Sequence, residues 1–209
     1  ISSGFVYEGV EGNRVEGVTA TIYYKENESG AEQQWDAEEF GQQNPQVTNG
    51  SGIYMWNVPK GLWQVRFAKD GYEPTQTEWL PVPPPQLDIM VPMTQHTTPV
   101  VTKANADENG VSISFSKYMQ TASLTGISVR QDGVAVSGRL LFPEAQDGLT
   151  NRVHFMAETP FTAQEVQLTV PAEAKSYAGD VMAAADVRTL TVERVIEDLV
   201  VQTDAAIQV

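Results

Sequence analysis

Short runs in which apolar and polar residues alternate recur along the whole chain, and glycine or proline interrupts them at roughly ten-residue intervals. Alternation with a period of two places every second side chain on one face, so each run predicts a half-buried β-strand. In the first half we predict strands at 5–7, 18–24, 53–58, 62–68 and 87–91. In the second half we predict them at 111–115, 127–130, 139–142, 152–156, 165–170 and 188–192. The pattern therefore predicts an all-β chain.

Length and one break in the pattern divide these strands between two domains. A β-sandwich commonly needs roughly 100 residues, so 209 residues suit two tandem sandwiches better than one. The polar stretch 94–99 lacks periodicity and predicts the linker. We expect one sandwich at 1–95, a second at 96–193, and a linker or the start of a further module at 194–209.

Turn-forming residues refine the first domain. The segment Pro59-Lys60-Gly61 separates two predicted strands and indicates a hairpin between them. Proline cannot donate a hydrogen bond to a neighbouring strand, which predicts an edge strand or an extended connection where several prolines cluster. The cluster comprises Pro81, Pro83, Pro84 and Pro85.

One short helix is predicted in the first domain, directly after Trp35. Asp36 followed by Glu39 has the spacing of a capping box, in which each side chain bonds a free backbone N–H of the first turn. Pro45 and the turn residues 49–52 then return the chain to a strand.

The four tryptophans divide into two pairs. Trp56 and Trp63 lie on the apolar faces of alternating strands, so we expect both in the core. Trp35 and Trp79 are not explained by alternation. An exposed aromatic face suits stacking on a sugar ring, so Trp35 and Trp79 are candidates for a ligand platform; packing of a helix or loop onto the sandwich is the alternative.

Charge and composition exclude several functions. The net charge is −14 and no two of the 13 basic residues are adjacent, so nucleic acid is not expected as a partner. The absence of cysteine excludes disulfides and thiolate catalysis. Neither a leader nor a long apolar run is present, so we expect no membrane insertion within this segment, and the first residue, Ile1, favours a processed or excised fragment.

No catalytic residue is predicted. His96 falls in the linker, and His154 alternates with apolar neighbours and is expected to face outward. Ser114 and Lys117 match a serine acyl-enzyme spacing, but that mechanism needs a helix and this segment is predicted as a strand. The chain is therefore expected not to be an enzyme.

No metal site or cofactor is predicted either. The segment 107–110 has a faint likeness to a Ca²⁺ loop but lacks the alternating ligands and the distal glutamate of an EF-hand. A tight turn between two strands is the preferred interpretation of these residues.

An ordered set of five segments characterises the first domain, at 4–7, 15–20, 48–54, 59–65 and 70–72. In these segments the first domain resembles the carboxypeptidase-regulatory-like family, a prealbumin-type β-sandwich. They match the family's opening strand, its G-x-Y turn, its P-x-G-x-Y hairpin and its closing G-Y, with Trp63 in place of the usual tyrosine.

In the second domain, Val111 to Ser116 is followed directly by Lys117-Tyr118-Met119. In this segment the second domain resembles the bacterial Ig-like domain of S-layer and other surface proteins, which has an I-x-F-S-x-x-M strand end. Residues 177–182 are similar to its D-x-A-G-N-x-M/L segment, with Asp180 where asparagine is usual.

Both resemblances imply an exported, multidomain, non-catalytic protein. We therefore expect a structural or spacer segment of a larger bacterial protein, extracellular or on the cell surface, with adhesion among its roles. Its expected partners are the neighbouring modules of the same polypeptide, and a cell-wall or host glycan or protein. Two alternatives stay open: a carbohydrate- or protein-binding module, and accessory domains of an extracellular enzyme whose catalytic part lies outside this chain.

Overall fold

A computed structural model describes residues 1–194 of the chain and confirms the all-β prediction. The backbone divides into two compact units, Ile1–Thr97 and a second that begins at Thr98. Of the predicted terminal linker or further module at 194–209, all but Arg194 lies outside the described residues.

The first unit contains ten strands and one 3₁₀ turn, Glu38–Phe40. The strands are β1 (Ser2–Glu8), β2 (Val10–Arg14), β3 (Thr19–Lys25), β4 (Gln33–Gln34), β5 (Gln46–Val47), β6 (Ile53–Trp56), β7 (Gly61–Ala68), β8 (Thr75–Gln76), β9 (Leu80–Val82) and β10 (Gln86–Pro92).

The described part of the second unit, up to Arg194, contains eight strands and the 3₁₀ turn Thr121–Ser123. The strands are β11 (Val101–Asp107), β12 (Gly110–Gln120), β13 (Ser128–Gln131), β14 (Val134–Ala135), β15 (Gly138–Leu141), β16 (Leu149–Ala157), β17 (Glu165–Val170) and β18 (Asp186–Glu193).

Two sheets form the sandwich of the first unit. In sheet I, β1 pairs with β10 on one side and with β2 and β6 on the other. In sheet II, β3 and β7 pair centrally, with β4 and β5 beside β3 and with β8 and β9 beside β7. The side chains between the sheets form one apolar core, and the largest fully buried ones include Trp56 and Trp63, as predicted.

The hairpin predicted around Pro59-Lys60-Gly61 is wrong. β6 pairs with β1 in sheet I, whereas β7 pairs with β3 in sheet II, so residues 57–60 cross from one layer to the other. The physical reason is that both edges of β7 are already occupied, by β3 and by β8 with β9, which leaves no edge for β6.

Glutamine side chains cover the outer edge of β6. The Gln46 amide donates to the Met55 carbonyl at 2.7 Å and accepts from the Met55 N–H at 3.1 Å. The Gln42 amide makes the same pair of bonds with Asn57, each at 2.8 Å. An unpaired strand edge is a template for aggregation. These two amides pair with the backbone N–H and C=O groups of this edge, as a neighbouring strand would.

The predicted capping box is absent, although the helical turn itself is present. Residues Glu38–Phe40 form a single 3₁₀ turn whose N-cap is Ala37, and no side chain caps it. One turn is too short to leave the set of free N–H groups that a capping box serves.

The prolines behave as predicted: Pro81 lies in the short edge strand β9, and Pro83 to Pro85 precede β10.

The strands described in the second unit form one continuous sheet of eight, in the order β14-β13-β17-β18-β11-β12-β16-β15. Its inward-facing residues from both halves form a single core, which includes Ile113, Phe155, Leu168 and Val129. The halves are therefore two layers of a sandwich, joined where β11 pairs in parallel with β18.

Candidate functional site

Trp35, one of the two predicted platform residues, is 8% exposed. Its backbone N–H donates to the Ile22 carbonyl at 3.1 Å, which ties it to strand β3. Its ring meets the Trp63 ring edge-on, with 5.2 Å between centroids and 85° between planes. On another side the Phe40 ring lies 5.2 Å away at 32°. The ring that reaches solvent is therefore Phe40, which is 53% exposed.

Trp79, the other predicted platform residue, is half-buried just before β9. The Lys25 ammonium lies 4.6 Å from the centroid of its ring, within cation–π range. Trp79 lies outside the group of rings around Trp35, so the structure does not bring the two predicted residues together. A role for Trp79 in ligand binding stays a prediction.

A cavity of about 320 Å³ opens beside Trp35; we call it the aromatic cleft. Its volume lies at the lower end of the range found for small-ligand sites. It is lined by four aromatic residues, one proline and four polar residues: Tyr24, Trp35, Phe40, Trp63, Pro59, Gln33, Gln34, Asp36 and Glu39.

The polar side chains that line the aromatic cleft have free hydrogen-bonding groups, whereas the neighbouring Asn44 amide does not. The Asn44 side chain accepts from the Ile22 N–H and donates to the Ile22 and Trp35 carbonyls, so it is fully used in holding the loop. Within residues 1–194, the four polar side chains that line the cleft make no hydrogen bond or ion pair. Their donors and acceptors are exposed to solvent and available to a ligand.

Each histidine contacts a polar side chain of its own unit. The Nε2 atom of His96 lies 2.9 Å from a Glu73 carboxylate oxygen, and both side chains are exposed. The Nδ1 atom of His154 lies 3.1 Å from the Ser112 hydroxyl. Neither contact brings a histidine together with both a nucleophile and an orienting acid.

The other two candidate motifs have the secondary structure predicted for them. Ser114 and Lys117 both lie on strand β12 rather than on a helix. The Asp107 carboxylate accepts the N–H groups of Asn109 and Gly110 at 2.7 and 3.0 Å, which forms the tight turn between β11 and β12. In the described part of the chain no three His, Cys, Asp or Glu side chains are grouped closely enough to hold a metal ion.

Sequence reasoning missed Tyr24 and Phe40. Tyr24 ends an alternating strand and was indistinguishable from a core residue, while Phe40 lies on a 3₁₀ turn, where a period of two has no meaning. The usable signal was the spacing of two aromatic residues on either side of a predicted turn, at 35 and 40.

Among residues 1–194, none of the helical segments has the length or the apolar character needed to cross a membrane.

No protein-family model matches the chain, and no curated protein matches it. Among solved structures, the N-terminal part of the bacterial S-layer protein SbsC is similar, with a TM-score of 0.38 and 15% identity over 46% of this chain and 24% of that chain. A putative carbohydrate binding protein from Bacteroides uniformis has a TM-score of 0.32 and 13% identity over 91% of this chain and 97% of its own. A chimeric titin Z1Z2 has a TM-score of 0.28 and 8% identity over 93% of each chain. With TM-scores of 0.38 or less, these likenesses support no conclusion about the fold or the role of the chain.

Proposed function

We propose that the chain is a non-catalytic structural segment of a larger bacterial protein, secreted or on the cell surface, and that it acts as a tension-bearing spacer. The observation that carries this proposal is the same in both units. Among residues 1–194, the first strand and the last strand of each unit are hydrogen-bonded neighbours that run parallel.

Parallel terminal strands fix where the chain enters and leaves a unit. In the first unit Ser2 lies opposite Gln86 and Tyr7 lies opposite Pro92. The chain therefore enters at one end of sheet I and leaves from the other end, about 23 Å away for a seven-residue strand. A module of this kind adds length to a linear array instead of returning the chain to its starting point.

The same geometry resists tension along the chain. A force that pulls the two ends of a unit apart acts along the strands and across the hydrogen bonds of the terminal pair, so these bonds are loaded together. In an antiparallel hairpin pulled at its open end, the bonds break one after another. The parallel ladder spans five residue pairs between β1 and β10, and two pairs, Ala106–Val192 and Asp107–Glu193, between β11 and β18.

Single-molecule stretching tests the proposal. The chain is first pulled through its two termini, and then through cysteines introduced at Thr98 and Lys117, near the open end of the β11–β12 hairpin. The natural sequence has no cysteine, so both attachments are specific. We expect the second unit to unfold at a several-fold higher force when it is pulled through the termini than through the two cysteines. Equal forces in the two directions would contradict a tension-bearing role.

Terminal pulling also compares the two units. All bonds of a parallel ladder share the load, so the unit with two terminal pairs is expected to unfold at a lower force than the unit with five. The released chain length identifies each unit, because the first unit spans residues 1–97.

A further inference from the structure

We propose that the aromatic cleft of the first unit binds a single neutral pyranose ring of a glycan. This inference concerns a ligand site and is independent of the load path through the terminal strands. It rests on three properties of the cleft: an exposed aromatic ring with rigid support, a rim of unused hydrogen-bonding groups, and the sign of the lining charge.

The aromatic surface is held in place from behind. Phe40 is largely exposed and rests on Trp35, which is buried and packs edge-on against the fully buried Trp63. Tyr24 also packs against Trp63, with 4.8 Å between the ring centroids. An exposed ring fixed by core residues loses little conformational freedom when a ligand stacks on it. The C–H face of a pyranose is the complementary surface for such a ring.

The polar rim suits hydroxyl groups. Gln33 and Gln34 form the short edge strand β4, which pairs with β3 at Tyr23 and Tyr24. Each amide offers both donors and an acceptor, and the carboxylates of Asp36 and Glu39 offer acceptors. A pyranose presents adjacent hydroxyls that each donate and accept, so it can pair both with the amides and with the carboxylates.

The charge of the residues that line the cleft distinguishes neutral sugars from acidic sugars and cations as ligands. The lining has two carboxylates and no lysine, arginine or histidine, so phosphate groups, sulfated sugars and uronic acids are repelled. An alkylammonium group would suit the rings and carboxylates, but it leaves the donors of the two amides unused. The observations therefore favour a neutral sugar over both an acidic sugar and a cation.

Titration with soluble oligosaccharides tests the proposal on the full chain. The probes are hexasaccharides of glucose, xylose, mannose and N-acetylglucosamine, with oligogalacturonate as the acidic control and tetramethylammonium as the cation control. Binding is followed by the amide shifts of residues 33–41 and by the indole N–H signal of Trp35. We expect at least one neutral hexasaccharide to bind with a dissociation constant of about 1 mM or tighter, as is ordinary for one sugar ring.

Two variants locate the site. Phe40→Ala is expected to weaken binding about tenfold or more, because it removes the stacking surface while leaving the buried Trp35 in place. Val47→Ala is the matched control, since Val47 is exposed, lies on the nearby strand β5 and does not line the cleft. Its affinity is expected to equal that of the unaltered chain.

Three results would overturn the inference. The first is no binding of any neutral hexasaccharide at about 10 mM. The second is binding that Phe40→Ala and Val47→Ala affect equally. The third is binding of tetramethylammonium or oligogalacturonate, but of no neutral sugar, to the same residues. Circular dichroism of Phe40→Ala establishes that the variant is folded before any loss is attributed to the cleft.

Discussion

The guanidinium of Arg188, on β18, donates a hydrogen bond of 2.8 Å to the backbone carbonyl of Val101, the first residue of β11. The carboxylate of Asp186 holds that guanidinium through two bonds, at 2.8 and 3.1 Å, and these bonds raise the pKa of Arg188. The backbone ladder between β11 and β18 begins only at Ala106. The arginine therefore joins the two terminal strands at the end where their backbones are not paired.

Replacing this arginine tests its contribution. We expect Arg188→Met to lower the free energy of unfolding of the second unit by about 1 kcal/mol, since the side chain is partly exposed and solvent weakens the bond. The force needed to unfold this unit through the termini should also fall. Arg130→Met is the control, because Arg130 also donates to a carbonyl but only within its own turn, at Gly133. Equal loss of unfolding force in both variants would show that Arg188 does not join the strands.

The β1–β10 ladder depends on a residue without a side chain. A methyl group at Gly4 would overlap the Ile89 carbonyl oxygen and lie 2.6 Å from the Tyr54 hydroxyl. Neither the paired backbone nor the buried tyrosine has room to move, so Gly4→Ala should destabilise the first unit by about 3 kcal/mol or more. At Gly12, on β2, a methyl group meets nothing within 4 Å, so Gly12→Ala should leave the urea midpoint nearly unchanged. Similar midpoints for the two variants would contradict the close approach of β1 and β10.

Alternation predicted which side chains are buried, but not which strands pair. Trp56 and Trp63 were both assigned to the core from the period of two, and both are almost completely buried. The turn residues between their strands predicted a hairpin, although the two strands belong to different sheets. Pairing depends on which strand edges are already occupied, and the local pattern carries no information on that.

Strand β11 and the exposed ring of the cleft were not predicted, because the sequence around them lacks an alternating pattern. Strand β11 was missed because its middle residues, 102–105, are polar or small, and pairing on both sides holds it in the sheet. The cleft was anticipated only through Trp35. Its exposed member, Phe40, is placed by a single 3₁₀ turn, and the contact between the two rings depends on how that turn folds back.

The two units should fold separately. The core of the first unit draws only on residues up to Met93, and the core of the second begins at Val101. We expect residues 1–97, expressed alone, to give a dispersed amide spectrum and to unfold in urea at the same midpoint as the first unit in the full chain. A chain that is unfolded by circular dichroism would contradict this prediction.

A buried carboxylate in the first unit depends on a tyrosine. Glu8 is buried, and the hydroxyl of Tyr72 donates to one of its carboxylate oxygens at 2.8 Å. Tyr72→Phe removes this donor from a group that water does not reach, so it should lower the free energy of unfolding by about 1 to 3 kcal/mol. Tyr7→Phe is the control, because the Tyr7 hydroxyl makes no hydrogen bond within the described residues. Equal urea midpoints for the two variants would contradict a stabilising role of the bond.

The same contact predicts how stability depends on pH. Burial, the hydrogen bond to Glu8 and the charge of Glu8 all raise the pKa of Tyr72, and burial raises that of Tyr54. In the unfolded chain both phenols titrate near about 10, so the unfolded state loses protons first as the pH rises. Their contribution is therefore fully present below about pH 10 and is lost as the pH rises above that value. We expect urea midpoints of the first unit to fall between about pH 10 and 12, and to fall less steeply in Tyr72→Phe, which lacks the phenol of Tyr72. An equally steep fall in that variant would show that the phenol of Tyr72 is not held in its neutral form by Glu8.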